Sequence, residues 1–433
     1  MNILSLKNLV FCFCMVLTIS CNDDNDKVTP ERIITFTAYD SHNAYWVLLS
    51  DDEGKTVSWK QLSNDIKEEL KYSLAEEVTV TVISKAPNSS FLFLRTFTHV
   101  ESGDYKLGNA DVLTTTPVGS FSLSIPDAFY NFVPQSESYC GDSRNPENTQ
   151  ITMSLCEPST NLYLALYKND RDTPHYYYDQ EIHPGENLTV DNDLYARSPE
   201  MKSKTIMIDK PANGTIIVEG RTIQKKQSFL ASIYFTPFAV TSIPIYYPDL
   251  IGDLFSDFIF SINYTPEKNV QFRNAKMSKE PADNYPPLDV NFNFSDSSKI
   301  TTESLEFPIT GQAQYVFAAF NYFDNSNINN PGGWWYIYTE FTNNVSVQLP
   351  SFPDDLKTTL NFSFLGKMKR NQVNFVENIG AGGYSGFYKK RLGVGTSGSV
   401  DLREKIYRFN NTNSIVSGGR LFDDNGNGSN QID

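Results

Sequence analysis

The side chains best suited to contact a ligand lie in one aromatic run, Trp334-Trp335-Tyr336-Ile337-Tyr338, which follows an Asn-Asn-Pro-Gly-Gly turn. Alternation along a strand places the first, third and fifth of these side chains on one face and the other two on the opposite face. A flat row of aromatic rings beside Asn and Asp side chains is typical of a sugar-binding surface. We therefore take Trp334, Trp335, Tyr336 and Tyr338 as candidate ligand-binding residues. The alternative is a strand buried on both sides, since large aromatic side chains are mostly buried.

Two of the four histidines flank a second polar segment, which runs from His175 to His183. If this segment is one strand, its ends lie roughly 26 Å apart, so the two histidines cannot bind the same ion. Asp179, Glu181 and His183 share a face and would form a metal site only with ligands from elsewhere. A solvated face of a half-buried strand is the simpler interpretation, and we predict no metal.

The segments that resemble catalytic or cofactor-binding motifs lack the neighbouring residues or elements that those motifs require. The G-x-G-x-x-G letters at 393–398 lack the strand–helix context in which such a loop binds pyrophosphate. The acidic segment 423–428 resembles the start of a calcium loop, but its twelfth position falls beyond Asp433. The Ser in 383–386 lacks the glycine spacing of a nucleophile elbow. We predict no cofactor and no catalytic residues, although paired carboxylates of a hydrolase are defined by distance, which sequence does not give.

The charge of the chain excludes one large class of partner. The net charge is −15, and removing residues 1–20, which contain Lys7 and no acidic residue, changes −15 to −16. Such a surface repels phosphate backbones, so nucleic acid is not an expected partner. It also repels anionic lipid, so membrane attachment requires a covalent lipid, and stable attachment requires two or more acyl chains.

The N-terminus carries an export signal. An apolar run from Leu9 to Ile19 has the length of a signal-peptide core and is too short to span a bilayer. It ends in Ser20-Cys21, which resembles the lipobox of bacterial lipoproteins, and the acidic tract 22–26 resembles the surface-export signal of Bacteroidetes-type surface lipoproteins. This resemblance covers residues 1–26. It implies cleavage before Cys21, palmitate or another acyl chain on Cys21, and an outer-membrane location facing the exterior.

Two cysteines remain for the folded part of the chain. Cys12 and Cys14 leave with the signal peptide, and the resemblance assigns Cys21 to lipid. We expect Cys140 and Cys156 to form a disulfide, because the chain is exported to an oxidising space. The bond would stabilise the fold by about 3 kcal/mol. Two free thiols or a metal pair are the alternatives.

The strand signals predict an all-β fold. Aromatic and β-branched residues are frequent, and Val78 to Val82 alternates at period two. Asn64 to Ala75 is a candidate short helix, because Ile66 and Leu70 are four residues apart. A second short helix is predicted to begin at Pro248. We also predict a strand over 360–364.

Turn signals divide the chain into units. We predict two β-sandwich (Ig-like) domains followed by a larger β-rich C-terminal domain. The predicted bounds are 1–20 for the signal peptide, 21–31 for the lipidated Cys and tether, 32–115 and 116–204 for the sandwiches, 205–420 for the large domain and 421–433 for a disordered tail.

Together these features predict a lipid-anchored, surface-exposed envelope protein with a non-catalytic binding or display role. Its ligand would be a glycan or another envelope protein. A polysaccharide-active hydrolase with paired carboxylates, or a structural, adhesin-like assembly subunit, is the alternative.

Overall fold

The computed structural model describes most of the chain from Glu31 to Phe409, and the helices and strands below refer to these residues. The described ranges are 31–39, 43–73, 77–85, 89–108, 116–124, 131–144, 150–168, 172–224, 228–235, 240–293, 299–323, 332–378, 380, 382–393 and 401–409.

The described residues form a mostly β structure, as the sequence predicts. The strands are β1 (Arg32–Ala38), β2 (Ala44–Ser50), β3 (Thr56–Leu62), β4 (Lys67–Tyr72), β5 (Glu77–Lys85), β6 (Phe91–Glu101), β7 (Asp104–Leu107), β8 (Gly119–Ser124), β9 (Asn131–Ser136), β10 (Tyr139–Arg144), β11 (Gln150–Leu155), β12 (Thr160–Tyr167), β13 (His175–Ile182), β14 (Asn187–Thr189), β15 (Lys202–Thr222), β16 (Ser228–Phe235), β17 (Val240–Tyr247), β18 (Phe255–Glu267), β19 (Val270–Ser278), β20 (Val290–Asn291), β21 (Ser304–Pro308), β22 (Thr310–Gly311), β23 (Tyr315–Tyr322), β24 (Gly332–Glu340), β25 (Asn344–Gln348), β26 (Lys369–Asn378) and β27 (Asp401–Arg408).

Four short helical segments accompany the strands. They are α1 (Asn192–Arg197), α2 (Asp354–Leu360), a 3-10 helix (Phe362–Lys367) and α3 (Gly383–Arg391). Asp191 caps α1 by accepting a hydrogen bond from the Leu194 N–H at 2.8 Å. Such a cap satisfies one of the donors that a helix start leaves open. No described helix is long and apolar enough to cross a membrane.

One large sheet organises the molecule. Its strands follow the order β16-β15-β18-β19-β27-β26-β23-β24-β6-β5-β2-β3, and β17 pairs with β15 off this path. Strand β24 pairs in parallel with β6, with Gly332 opposite Phe91 and Tyr338 opposite Phe97. One continuous sheet therefore crosses the boundary predicted at residue 115, and it contains β2, β3, β5 and β6 from before that boundary and β15 to β19, β23, β24, β26 and β27 from after it.

Both faces of this sheet are covered over its central strands. One face packs against the small strands β20, β21, β22 and β25, helix α2 and the 3-10 helix, and Trp335, Phe320 and Leu356 are buried there. The opposite face packs against β1, β4, β7 and α3, with Phe97 and Tyr388 in its core. Alternating side chains on one strand thus enter two different cores, which is the pattern of a sheet buried on both sides.

A separate core lies between residues 121 and 194. Sheet β10-β11-β8-β14 and sheet β13-β12-β9 enclose it, and its buried members include Phe121, Leu162, Leu164 and Leu166. The alternate residues of β12 point the other way. Tyr163 and Ala165 belong to the core formed with β15, β17 and β18.

Two tyrosines of β12 dock onto the terminal strand of the large sheet. The Tyr163 hydroxyl donates to the Ala231 carbonyl at 2.6 Å, and the Ile233 N–H donates to the Tyr167 hydroxyl at 2.7 Å. Both backbone groups belong to β16, the last strand in the order of the large sheet, and they bond to tyrosine hydroxyls of β12. The tyrosines therefore occupy backbone groups of a terminal strand that another strand could otherwise pair with.

Three local predictions are wrong. Residues 67–72 form strand β4 instead of a helix, because Thr37 to Arg32 of β1 pair with Lys67 to Tyr72. Leu70 and Tyr72 are buried at period two, while Ile66 is exposed. The chain after Pro248 is a turn, with Gly252 at a φ of +91°. The predicted strand over 360–364 is the end of α2 and the 3-10 helix.

Candidate binding site

The aromatic run lies on β24, and its alternation separates the candidate residues into two environments. Trp335 is fully buried, and its indole N–H donates to Thr96 Oγ1 at 2.9 Å. Its ring meets Phe352 edge to face at 5.5 Å. A side chain with no exposed surface and a satisfied donor holds the core together and has no atom available to a ligand.

Tyr338 is also excluded from contact with solvent. It is 8% exposed, its ring stacks on Phe97 at 5.1 Å and 10°, and it packs 5.1 Å from Phe387 of α3. Burial raises the pKa of the Tyr338 hydroxyl. Helix α3 therefore covers this end of the strand, and Tyr338 belongs to the core.

Trp334 and Tyr336 remain half-buried and stack on each other at 5.7 Å with an interplanar angle of 9°. Three further rings extend this pair on the same face, and we call the five together the aromatic strip: Phe91, Phe93, Phe323, Trp334 and Tyr336. Phe93 is 39% exposed and Phe323 is 49% exposed. The strip is thus a solvent-accessible apolar surface on the large sheet.

Strand register brings the five rings together. The parallel pairing of β24 with β6 sets Trp334 opposite Phe93, and the antiparallel pairing with β23 sets Trp334 opposite Asn321. Phe323, two residues beyond Asn321, therefore lies on the same face and meets Trp334 edge to face at 5.5 Å. Phe91 stacks on Phe323 at 5.4 Å and meets Phe93 at 5.1 Å, so the contacts run continuously along the strip.

Polar side chains border the strip on neighbouring strands. Asn321 lies opposite Trp334, Arg95 lies opposite Tyr336, and Ser84 lies opposite Phe93. Burial raises the pKa of Tyr336 and Arg95 opposes that rise, so the hydroxyl is neutral at neutral pH and can donate a hydrogen bond. Rings that offer a flat face beside amide, guanidinium and hydroxyl groups can stack on a sugar ring and bond to its hydroxyls.

Sequence reasoning missed three members of the strip. Phe91 and Phe93 are two residues apart, which places them on one face of a strand, but only the pairing of β6 with β24 places that face beside Trp334. Phe323 directly follows β23, and residues 324–331 lie outside the described residues. Most of the turn predicted ahead of Trp334 falls in that segment.

The histidine segment has structural contacts in place of metal ligands. His175 stacks on Tyr195 at 4.1 Å, and its Nδ1 lies 2.7 Å from the Ser198 carbonyl oxygen. Nδ1 of His183 lies 3.2 Å from the Pro158 carbonyl oxygen. Within the described ranges, no group of three or more His, Cys, Asp or Glu side chains is placed to hold a metal ion.

The cysteine prediction is described in part. Cys156 follows β11, its N–H donates to the Ser138 carbonyl at 2.8 Å, and it is disulfide-bonded. Cys140 belongs to β10, which pairs with β11 through a register shift next to that residue. The Cys140 side chain is outside the described residues, so the Cys140–Cys156 pairing stays a prediction.

Other predicted features lie outside the described residues. These are the N-terminal segment 1–30 with Cys21, most of the glycine motif, 394–400, and the acidic segment 423–428. Gly383 to Gly386 form the first turn of α3, where Tyr384 is buried.

One buried carboxyl group is a candidate for catalysis. Glu404 on β27 is 5% exposed, accepts a hydrogen bond from Asn374 Nδ2 and lies 3.9 Å from Arg273 Nη1. Burial raises its pKa, while Arg273, Asn374 and Arg408 oppose the rise. The neighbours of Glu404 that oppose the rise are two cations and an amide. These neighbours are typical of a structural ion pair, whereas a hydrolase site would place a second carboxylate beside it.

Comparison with known protein families and curated proteins found no match. No protein-family profile matches the chain, and no curated protein is significantly similar to it in sequence.

Proposed function

We propose that this protein is a non-catalytic binding protein that captures a glycan on the aromatic strip. The observation that carries the proposal is the row of five contacting rings on one face of the sheet, of which three are half-buried and two are exposed by 39% and 49%. A contiguous exposed apolar surface costs free energy in water and commonly marks an interaction site. The polar border of Asn321 and Arg95 suits sugar hydroxyls.

The proposed location is the outer surface of the outer membrane. The support is the sequence from Leu9 to Asp26, with its apolar run, Cys21 and acidic tract. Lipid on Cys21 would tether a binding surface at the cell exterior, where polysaccharides are encountered. The palmitate, the orientation and the envelope location are parts of this proposal.

The alternatives have less support. A hydrolase requires paired carboxylates, and the buried Glu404 is flanked by Arg273 and Asn374. An assembly subunit that accepts a foreign strand requires an open apolar edge. The β16 edge is occupied by Tyr163 and Tyr167. The strand at the other end of the sheet is β3, and most of its residues are accessible to solvent. It carries Lys60, and a lysine on an edge strand opposes edge-to-edge pairing.

A panel of polysaccharides in native gels tests the proposal. Residues 22–433, produced without lipid, are compared with a Trp334→Ala/Phe93→Ala variant and with Trp335→Phe, the buried neighbour, as matched control. We expect one or more glycans to retard the wild type and Trp335→Phe, and to lose that effect with the double variant. Retardation that is equal in all three folded proteins would contradict the proposed site.

A further inference from the structure

Two basic residues lie on the same face of the sheet as the aromatic strip. Arg95 of β6 is in register with Tyr336. Lys369, the first residue of β26, is in register with Asn321, which is itself in register with Trp334. Residues opposite each other on neighbouring strands share a face of the sheet, so Arg95 and Lys369 point to the same side as the rings. Both residues are exposed.

The two basic residues flank the stacked rings of Trp334 and Tyr336. Arg95 is one strand from the rings, on β6, and Lys369 is two strands from them on the other side, on β26. Three strand spacings separate the backbones of Arg95 and Lys369, which is roughly 14 Å. Side chains as long as those of Arg and Lys can both reach a ligand that lies on the rings. Arg95 already acts on the strip, since its charge opposes the rise in the pKa of Tyr336 that burial causes.

The immediate surroundings of the strip carry no described carboxylate. Besides one another, the rings have as described partners in register Ser84, Arg95, Ala319, Asn321 and Gly332, and none of these is acidic. Between described residues, no salt bridge involves Arg95 or Lys369. Glu340 and Glu404 share this face, but Glu404 is 5% exposed. Glu340 lies four residues beyond Tyr336 on β24, or about 13 Å along the strand.

The charge around the strip is opposite in sign to that of the whole chain, whose net charge is −15. Most of such a surface repels anions, so two exposed cations on either side of an apolar surface favour an anionic ligand at this one place. Arginine forms paired hydrogen bonds with carboxylate and sulfate oxygens, and lysine adds a compact positive charge. The rings between them offer a flat apolar face on which a sugar ring can stack.

We propose that the glycan captured on the aromatic strip is acidic and carries carboxylate or sulfate groups. Its sugar rings stack on Trp334 and Tyr336, and its anionic groups pair with Arg95 on one side and Lys369 on the other. Because these two basic residues are roughly 14 Å apart, a chain with acidic groups on different sugar residues can pair with both. This inference rests on the proposed function, since it concerns the same strip.

Biolayer interferometry with immobilised polysaccharides tests the proposal. The four probes are polygalacturonate with its carboxyl-reduced form, and a sulfated galactan with its desulfated form, so each acidic chain is compared with a neutral chain of the same backbone. We expect residues 22–433, produced without lipid, to bind at least one acidic chain roughly tenfold or more tightly than its neutral form. The two pairs of probes distinguish carboxylate from sulfate recognition.

The variants change only exposed side chains. Arg95→Gln/Lys369→Gln should weaken binding of the acidic chain by roughly tenfold and leave binding of the neutral form within about twofold of wild type. Lys276→Gln/Lys279→Gln removes two exposed lysines at the end of β19 and is the charge-matched control, with affinity within about twofold of wild type. The single variant Lys369→Glu reverses one charge and should also weaken the acidic chain, and the wild-type affinity should fall as salt rises, because exposed cations are screened.

The outcomes separate this inference from the proposed function. Absence of binding to both acidic chains, equal binding of the acidic and neutral forms, or unchanged affinity in Arg95→Gln/Lys369→Gln would overturn the acidic ligand. A loss of neutral-glycan binding in Trp334→Ala would then still support capture on the strip. If Trp334→Ala binds the acidic chain as tightly as the wild type does, the strip is not the site and both proposals fail.

Discussion

Removing one hydroxyl group, by Tyr167→Phe, should loosen the contact between the 121–194 unit and the large sheet. The Tyr167 hydroxyl accepts the Ile233 N–H at 2.7 Å, on the outer edge of β16, and burial raises the pKa of this tyrosine. Phenylalanine keeps the ring but leaves the backbone donor without its acceptor. A buried donor left unsatisfied costs about 1–3 kcal/mol. If water enters the gap, the cost falls toward the lower end of that range.

Hydrogen–deuterium exchange, read by mass spectrometry with fragmentation across β16, measures this effect where it occurs. A cost of about 1–3 kcal/mol corresponds to roughly 5- to 150-fold faster exchange of the Ile233 amide. Tyr163→Phe should instead leave the Ala231 carbonyl without its donor, and the two effects should not add, because both tyrosines hold one strand.

The control is Tyr234→Phe, on the same strand, whose ring meets Tyr246 at 5.6 Å. It should leave exchange at Ile233 unchanged. If the Ile233 amide exchanges at the same rate in Tyr167→Phe, Tyr234→Phe and the wild type, the Tyr167 hydroxyl does not protect this edge and the reasoning fails.

Three more predictions follow from buried side chains. Trp335→Phe should lower the free energy of unfolding by about 1–3 kcal/mol in urea, because it creates a gap and removes the hydrogen bond to Thr96 Oγ1, which then bonds only to Thr81 Oγ1 at 2.8 Å. Burial raises the pKa of Tyr285 to about 12, while the unfolded chain loses this proton near pH 10. The free energy of unfolding should therefore fall as pH rises from about 10 to about 12, and this fall should be shallower in Tyr285→Phe. Cys140→Ser should lower the free energy of unfolding by about 3 kcal/mol and leave Cys156 as a free thiol that reacts with a thiol reagent under non-reducing conditions. If the number of reactive thiols stays the same as in the wild type, the Cys140–Cys156 pairing is contradicted.

The strands were largely predictable because their signal is local. Val78 to Val82 and Phe121 to Leu123 alternate at the period of a strand, and each lies in a strand of the structure. Helix α3 also had a local signal that was overlooked, since Tyr384, Phe387 and Tyr388 follow the i, i+3, i+4 spacing of one helix face and all three are buried.

The failures occur where tertiary contacts override a local pattern. Ile66 and Leu70 have helical spacing, but pairing with β1 draws residues 67–72 into a strand and leaves Ile66 exposed. The parallel pairing of β6 with β24 joins residues about 240 positions apart, and no periodicity within either strand encodes it.

The same limit applies to the candidate site. The sequence indicated that Trp334 and Trp335 face opposite ways, and the structure places them so. Which face is open depends on what packs over it: Phe387 of α3 packs against Tyr338, while Trp334 and Tyr336 stay half-buried. The contribution of Phe93 and Phe323 depends on strand order, which composition does not determine.

The most direct test of the proposed function is isothermal titration of one retarding glycan against wild type, Trp334→Ala and Trp335→Phe. Stacking on Trp334 predicts a loss of about 0.5–1.5 kcal/mol in Trp334→Ala, or roughly a 2- to 13-fold weaker Kd, with Trp335→Phe close to wild type. Equal affinity in wild type and Trp334→Ala would contradict binding on the aromatic strip.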